Sequence, residues 1–194
     1  MNKIYMVLIL AILLIGGFYI LMRNGTPVAI VPETETAQSQ SYSNPTYGIA
    51  FEYPLTYVLS ERDIGGTGER LHHVITLMRK ADLPAPENGE GPPSITFEMF
   101  QNNLDNLTTE GWIRGSSKSN FKLSSEGVLA STTIDSKPAL SYRWSGLYEG
   151  TTIALAQANW IYAFSVTYLE PGADIVQDFV AIRDSVRIDS SQTP

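Results

Sequence analysis

The chain has 194 residues, 43% hydrophobic and 17% charged, which fits one globular domain with an attached segment and excludes a multidomain assembly. Thirteen lysines and arginines face 20 aspartates and glutamates, and a net charge of -7 opposes broad docking on nucleic acid or anionic lipid. The absence of cysteine removes disulfides, thiolate nucleophiles, Cys-ligated metals and a lipid-modified Cys.

The first element runs from Ile4 to Met22, 19 residues without a charge. As a helix it reaches about 28 Å, close to the roughly 30 Å hydrocarbon core. Twelve of its positions are Ile, Leu, Val or Phe, contributing on the order of -4 to -7 kcal/mol to insertion. Tyr5 and Tyr19 lie near the ends, and Lys3 and Arg23 bracket the run. Being apolar all round, it does not suit a core helix of a soluble fold. It is longer than the apolar stretch of a cleaved signal, and the only candidate cleavage end, Pro27-Val28-Ala29, puts proline at the -3 site. Gly16-Gly17 fall inside the run, unlike a type IV pilin stem. Residues 1–23 are therefore read as a retained transmembrane anchor embedded in the lipid bilayer. A two-residue head before the helix favours a cytoplasmic N-terminus and an extracytoplasmic domain at the cell membrane.

Residues 24–43, rich in Pro, Glu, Thr, Gln and Ser, read as a flexible linker that cannot bury a core. Such a coil averages about 25 Å end to end, with a ceiling of roughly 66 Å. A domain follows over 44–189 and a frayed tail over 190–194. Beyond the anchor, 11 basic residues remain against 20 acidic ones, a formal -9.

Strand signals dominate the domain. Tyr47–Tyr53 places Ile49, Phe51 and Tyr53 on one face, Leu71–Met78 alternates, and Ile95, Phe97 and Met99 share a face. Val128–Ile134, Ala139–Trp144, Thr151–Ala158 and Trp160–Tyr168 follow, joined by the turn residues Asp135 to Pro138, Gly146 to Gly150 and Asn159. Such short connections imply antiparallel hairpins. The last strand carries Trp160, Tyr162, Phe164, Val166 and Tyr168 on one face and smaller residues on the other, while Ala154, Ala156 and Ala158 line its neighbour. A small-residue face admits a closely packed helix and an aromatic stripe fills a core, so both sheet faces are expected to be covered.

Two helices are expected. One lies around Asn103–Trp112, with Leu104 and Leu107 apolar. The other begins with Asp174 as N-cap and Gln177 three residues on, and carries Ile175, Val176, Phe179, Val180, Ile182 and Val186. An antiparallel sheet of about six or seven strands flanked by helices is an α+β fold.

The stretch Asn44-Pro45-Thr46-Tyr47-Gly48-Ile49-Ala50-Phe51-Glu52-Tyr53-Pro54 resembles the first strand of PsbP and Mog1-like domains. Phe179-x-x-Ile182-x-x-Ser185-Val186 resembles their final helix running into a last short strand. The resemblance implies an α/β/α sandwich used as an accessory or scaffold domain, as in photosystem II extrinsic subunits and a Ran-binding protein, and it supplies no catalytic residue.

Side chains capable of chemistry are few. His72 and His73 adjoin in a strand, so they point to opposite faces and cannot grip one ion; one is expected in solvent and the other half-buried. Ser119 and Lys122 fit Ser-x-x-Lys, without the Ser-Asp-Asn and Lys-Thr-Gly partners that such a nucleophile–base pair needs. Glu61, Asp63 and Glu69 surround Gly65-Gly66-Thr67-Gly68, yet their spacing matches no calcium loop and the glycines form no P-loop. Leu83–Pro93 reads as an exposed loop, and Asn106-Leu107-Thr108 is a glycosylation sequon relevant only in a eukaryotic secretory route. No catalytic, cofactor-binding or metal-binding residue is assigned. The expectation is a non-catalytic, membrane-tethered domain that binds a protein or envelope partner and no nucleic acid. The alternatives are a surface hydrolase using Ser119 and Lys122 or an acidic pair, and a structural assembly subunit of the envelope.

Overall fold

A computed structural model of the chain describes residues 38–65, 70–85 and 90–189. The expected anchor, most of the expected linker, Glu69 and the tail lie outside those residues. Within them no helix is long and apolar enough to cross a membrane.

Seven strands make the principal sheet, all antiparallel, in the order β3 (Tyr57–Ile64), β4 (His72–Arg79), β5 (Ile95–Gln101), β9 (Trp160–Tyr168), β8 (Glu149–Gln157), β7 (Lys137–Ser145), β6 (Ala130–Ile134). A second sheet sets β2 (Ile49–Pro54) between β1 (Ser39–Asn44) and the two-residue β10 (Arg187–Ile188). Two helices complete the α+β fold, α1 (Thr109–Gly115) and α2 (Asp174–Ser185).

The two faces of β9 organise everything else. Trp160, Tyr162, Phe164, Val166 and Tyr168 enter a large core with Ile75, Leu77, Ile95 and Phe97, capped by Ile49 and Phe51 of β2 and by Ile175, Phe179 and Ile182 of α2. Ile161 and Ala163 face the other way, joining Ala154, Tyr142 and Trp144 under Trp112 and Ile113 of α1. Small residues on that face leave room for an indole to lie close to the sheet, so both faces are covered as their side-chain sizes suggest.

Several expectations are corrected. The ladder begins at Ser39, inside the expected linker, because Tyr42 stacks on Phe51 at 5.0 Å and β1 pairs in full with β2. The Tyr47–Tyr53 run, read as part of one sheet, belongs to the smaller sheet. The region around Gly65–Gly68 reads as a hairpin, and β3 does pair antiparallel with β4 across it; the strand itself, Tyr57–Ile64, is not legible because its charged second half hides the pattern, and it forms an edge. The first helix starts at Thr109 rather than near Asn103, and Leu104 stands 71% exposed. In α2, Ala173 occupies the N-cap without a side-chain cap bond, so no capping box forms; Asp174 sits in the first turn, where its charge complements the helix dipole. Val180 faces solvent.

Candidate functional site

On the α1 face of the principal sheet lies a groove of about 620 Å³, a volume usual for ligand clefts. Four separated stretches build it: the end of β3, the start of β4 with the residues before it, the end of β5 with the turn after it, and α1 with residues 116–118. Each is fixed by identifiable bonds. At the end of β5, Asn102 clamps the turn from both sides, its Nδ2 donating to Leu107 O at 3.0 Å and its Oδ1 accepting from Leu107 N–H at 2.9 Å. Thr108 then caps α1 by accepting from Gly111 N–H at 3.1 Å. Thr109 Oγ1 accepts from Ala156 N–H at 2.9 Å and ties the helix to β8. Burial of Trp112 and Ile113 seats this helix of only two turns, which is too short to persist alone.

The groove's wall on the sheet side is aromatic. The rings of His72 and Phe100 stack at 4.1 Å, and His72 Nε2 donates to Glu98 Oε1 at 2.9 Å. Across the opening, the Arg70 guanidinium grips Asp105 through both nitrogens, the second contact at 2.8 Å. That pair holds the Asp105 carboxyl below the usual carboxylate range. Lys118 adds a further cation to the lining.

His73 builds a different cluster on the opposite sheet face. Only 4% exposed, it stacks on Tyr47 at 4.1 Å, and its Nδ1–H donates to Asp63 Oδ1 at 2.7 Å. Its Nε2 lies 3.3 Å from Glu61 Oε2, within ion-pair distance but too poorly aligned for a hydrogen bond. Tyr47 OH donates to Asp63 at 2.7 Å and Tyr42 OH donates to Glu61. Two tyrosines of the smaller sheet's hairpin therefore bind two carboxylates of β3, and the cluster fastens one sheet to the other. Hydrogen bonds from His73 and Tyr47 hold the Asp63 carboxyl below its usual range, while burial and the bond to Glu61 push the Tyr42 phenol up to about 12.

A second hollow of about 820 Å³ lies by the start of α2. Two of its ionic groups, Arg79 and Asp178, are mutually engaged through Tyr57: Tyr57 OH donates to Asp178 Oδ2 at 2.6 Å, and Arg79 reaches both, Nε to Tyr57 at 3.1 Å and Nη2 to Asp178 at 3.1 Å.

The residues singled out in the sequence meet varied fates. His72 and His73 do point to opposite faces, but neither stands free in solvent: His73 is buried against Tyr47, and His72 is largely covered by Phe100 while it lines the groove. Ser119 is 2% exposed; its hydroxyl donates to Ile113 O at 2.6 Å, lies 3.0 Å from Ser116 O and accepts from Phe121 N–H. It is an architectural bond at the end of α1 and does not line the groove, and Lys122 stands exposed in the following 3-10 turn. Glu61 and Asp63 are occupied by the tyrosines and His73. Asn106 is exposed in the turn that Asn102 clamps, at φ 47°. Among the described residues no group of three or more His, Asp or Glu side chains is arranged to hold a metal. Sequence reasoning missed the groove, although Phe100 and Trp112 flank the clamped turn closely enough to have marked it.

No protein-family model matches the chain, and no curated protein matches its sequence. In structure it is similar to cyanobacterial PsbP (CyanoP) from Synechocystis sp. PCC 6803, solved in solution, with a TM-score of 0.51 at 14% identity. The similarity covers 84% of this chain and 99% of that one, so the domain has a PsbP-like fold.

Proposed function

We propose that this chain is a single-pass, membrane-tethered, extracytoplasmic accessory domain that binds a partner through the α1 groove and carries out no catalysis. The observation that carries this reading is the groove itself. It joins an aromatic wall to polar groups fixed by the Asn102 clamp and the Arg70–Asp105 pair, whereas the one sequence motif suggestive of a nucleophile is locked into backbone carbonyls. Rigid, mostly apolar and polar-edged clefts suit recognition. The 19-residue apolar run from Ile4 supports the tether, and the first strand begins at Ser39, leaving residues 24–38 between it and the anchor segment. An envelope-facing location agrees with a formal -9 beyond Arg23, which keeps the body soluble and discourages adsorption to anionic headgroups.

Protease protection on intact cells or spheroplasts, followed by affinity capture of the full chain from solubilised membranes, tests the reading. The expected result is a membrane-bound chain whose C-terminal body is digested from outside, recovering a stoichiometric partner that Trp112→Ala or Phe100→Ala removes. A body protected in the cytosol, or a purified chain that turns over an ester or amide substrate and captures nothing, overturns it.

A further inference from the structure

We propose that the groove beside α1 receives the C-terminus of a partner polypeptide, an apolar last residue together with its free carboxylate; this rests on the binding role proposed above. The polar groups that the groove leaves unspent include several donors. Lys118 and the hydroxyl of Ser117 are exposed and, among the described residues, neither side chain has a partner. Trp112 is only 5% exposed, yet its indole N–H has no acceptor among the described residues and is not sealed from solvent. The carboxylate and amide oxygens on the same walls are already taken: Asp105 by Arg70, Gln101 Oε1 by the Leu71 N–H, and Asn102 Oδ1 by the Leu107 N–H. An occupant that brings acceptors therefore finds free donors to receive them. Within a body of formal charge -9, a cation without a carboxylate partner is where a negative group is best received.

Trp112 contributes both an aromatic surface and a donor, so the occupant's acceptor and its apolar part lie within about one residue of each other, given that adjacent Cα atoms are about 3.8 Å apart. A chain terminus has that property: the carboxylate and the last side chain leave the same Cα. The rim decides between a free acid and a polypeptide. Ile64, Leu71 and Leu107 stand exposed around the opening. A small acid on the floor would leave that rim wet, whereas a peptide running out of the groove covers it.

The full chain in non-ionic detergent is incubated with a pool of hexapeptides randomised at the last two positions, prepared once as free acids and once as amides, and retained peptides are identified by mass spectrometry. Free acids ending in Leu, Ile, Met or Phe should be retained, with amidation and Lys118→Gln each lowering affinity about tenfold or more, the scale of a hydrogen bond to a charged group. Trp112→Phe keeps the ring and should weaken binding by removing the donor; Lys118→Gln, at the surface, supplies the same test without touching the core. Equal retention of acids and amides, or saturable binding by neither at about 1 mM peptide, overturns the proposal. Capture of a membrane partner that Lys118→Gln leaves undiminished rejects the terminus while the binding role stands; turnover without capture rejects that role as well.

Discussion

Gly150 sits inside β8 directly opposite Trp144, and the indole lies flat across its Cα. Replacing it with alanine would put a methyl group within overlap of Trp144 Cε2 and Cζ2, with Cδ2 at 2.7 Å. The indole cannot simply slide away: its Nε1–H donates to Thr152 Oγ1 at 2.9 Å, and Thr152 in turn meets Ser165 Oγ at 2.9 Å. Forcing the ring aside costs about 1–3 kcal/mol for overpacking, and breaking the indole bond adds about 1 kcal/mol. Alanine's lower backbone entropy loss returns roughly 0.5–1 kcal/mol. The expected net destabilisation for Gly150→Ala is about 2 kcal/mol, read as a fall of about 1 M in the urea midpoint for a slope near 2 kcal/mol/M. Equilibrium unfolding of the full chain in non-ionic detergent, followed by tryptophan fluorescence, measures it. Gly91→Ala is the control, since an added Cβ there meets nothing within 4 Å, and it should stay within about 0.5 kcal/mol of wild type. A Gly150→Ala midpoint indistinguishable from the control would refute the packing argument.

Three further outcomes are open to the same unfolding assay. Ser136 occupies a left-handed conformation at φ 61° in the β6–β7 turn, so Ser136→Gly should raise stability by about 0.5 kcal/mol, and a loss would contradict the strain. Tyr57→Phe removes the hydroxyl shared by Asp178 and Arg79 and should cost about 1.5–3 kcal/mol; combined with Asp178→Asn the losses should fall short of additive, and strict additivity would show the two do not interact. At Asp135 burial opposes the charge, but the Ile188 N–H and Lys137 outweigh it and hold the folded carboxyl below its unfolded value. Its stabilising effect is therefore complete above the unfolded pKa, about 4, and disappears as pH falls through the folded value; Asp135→Asn should flatten that part of the acid loss, and an unchanged pH profile would exclude the linkage.

How much of the fold could be read beforehand depended on where a strand lies. Trp160–Tyr168 announces itself because a strand with both faces buried must carry two apolar stripes, and its large and small sides anticipated the two cores. β1 and β3 are edge strands, and edges are paired on one side only and tolerate polar residues; Ser-Gln-Ser-Tyr-Ser-Asn and the Ser-Glu-Arg-Asp of β3 look like loop because their strand state is imposed by β2 and β4. Gly150 read as a turn residue for a similar reason: the feature that requires glycine there is an indole six positions away in sequence and opposite it in the ladder.

The site was less legible, because its chemistry is decided by backbone atoms that every residue carries. Ser-x-x-Lys marks a nucleophile and base only if the hydroxyl reaches a cavity, and Ser119 instead finds the carbonyls of Ile113 and Ser116, partners with no signature in the sequence. Asn102 acts likewise through both main-chain groups of Leu107, and by closing that turn it sets the short helix over the small-residue side of the sheet, with Trp112 at its inner face. The groove is thus a product of turn closure: the aromatic pair His72 and Phe100 is supplied by neighbouring strands, but it becomes a wall only when a clamped turn brings α1 opposite it. By this reasoning Asn102→Ala acts on binding and stability together, since it strands the Leu107 amide and carbonyl and loosens the helix that holds Trp112, whereas Lys118→Gln acts on binding alone. Unfolding and peptide-retention measurements on the two variants separate those effects, and an Asn102→Ala chain that keeps both full stability and full retention would mean that the turn does not govern the groove.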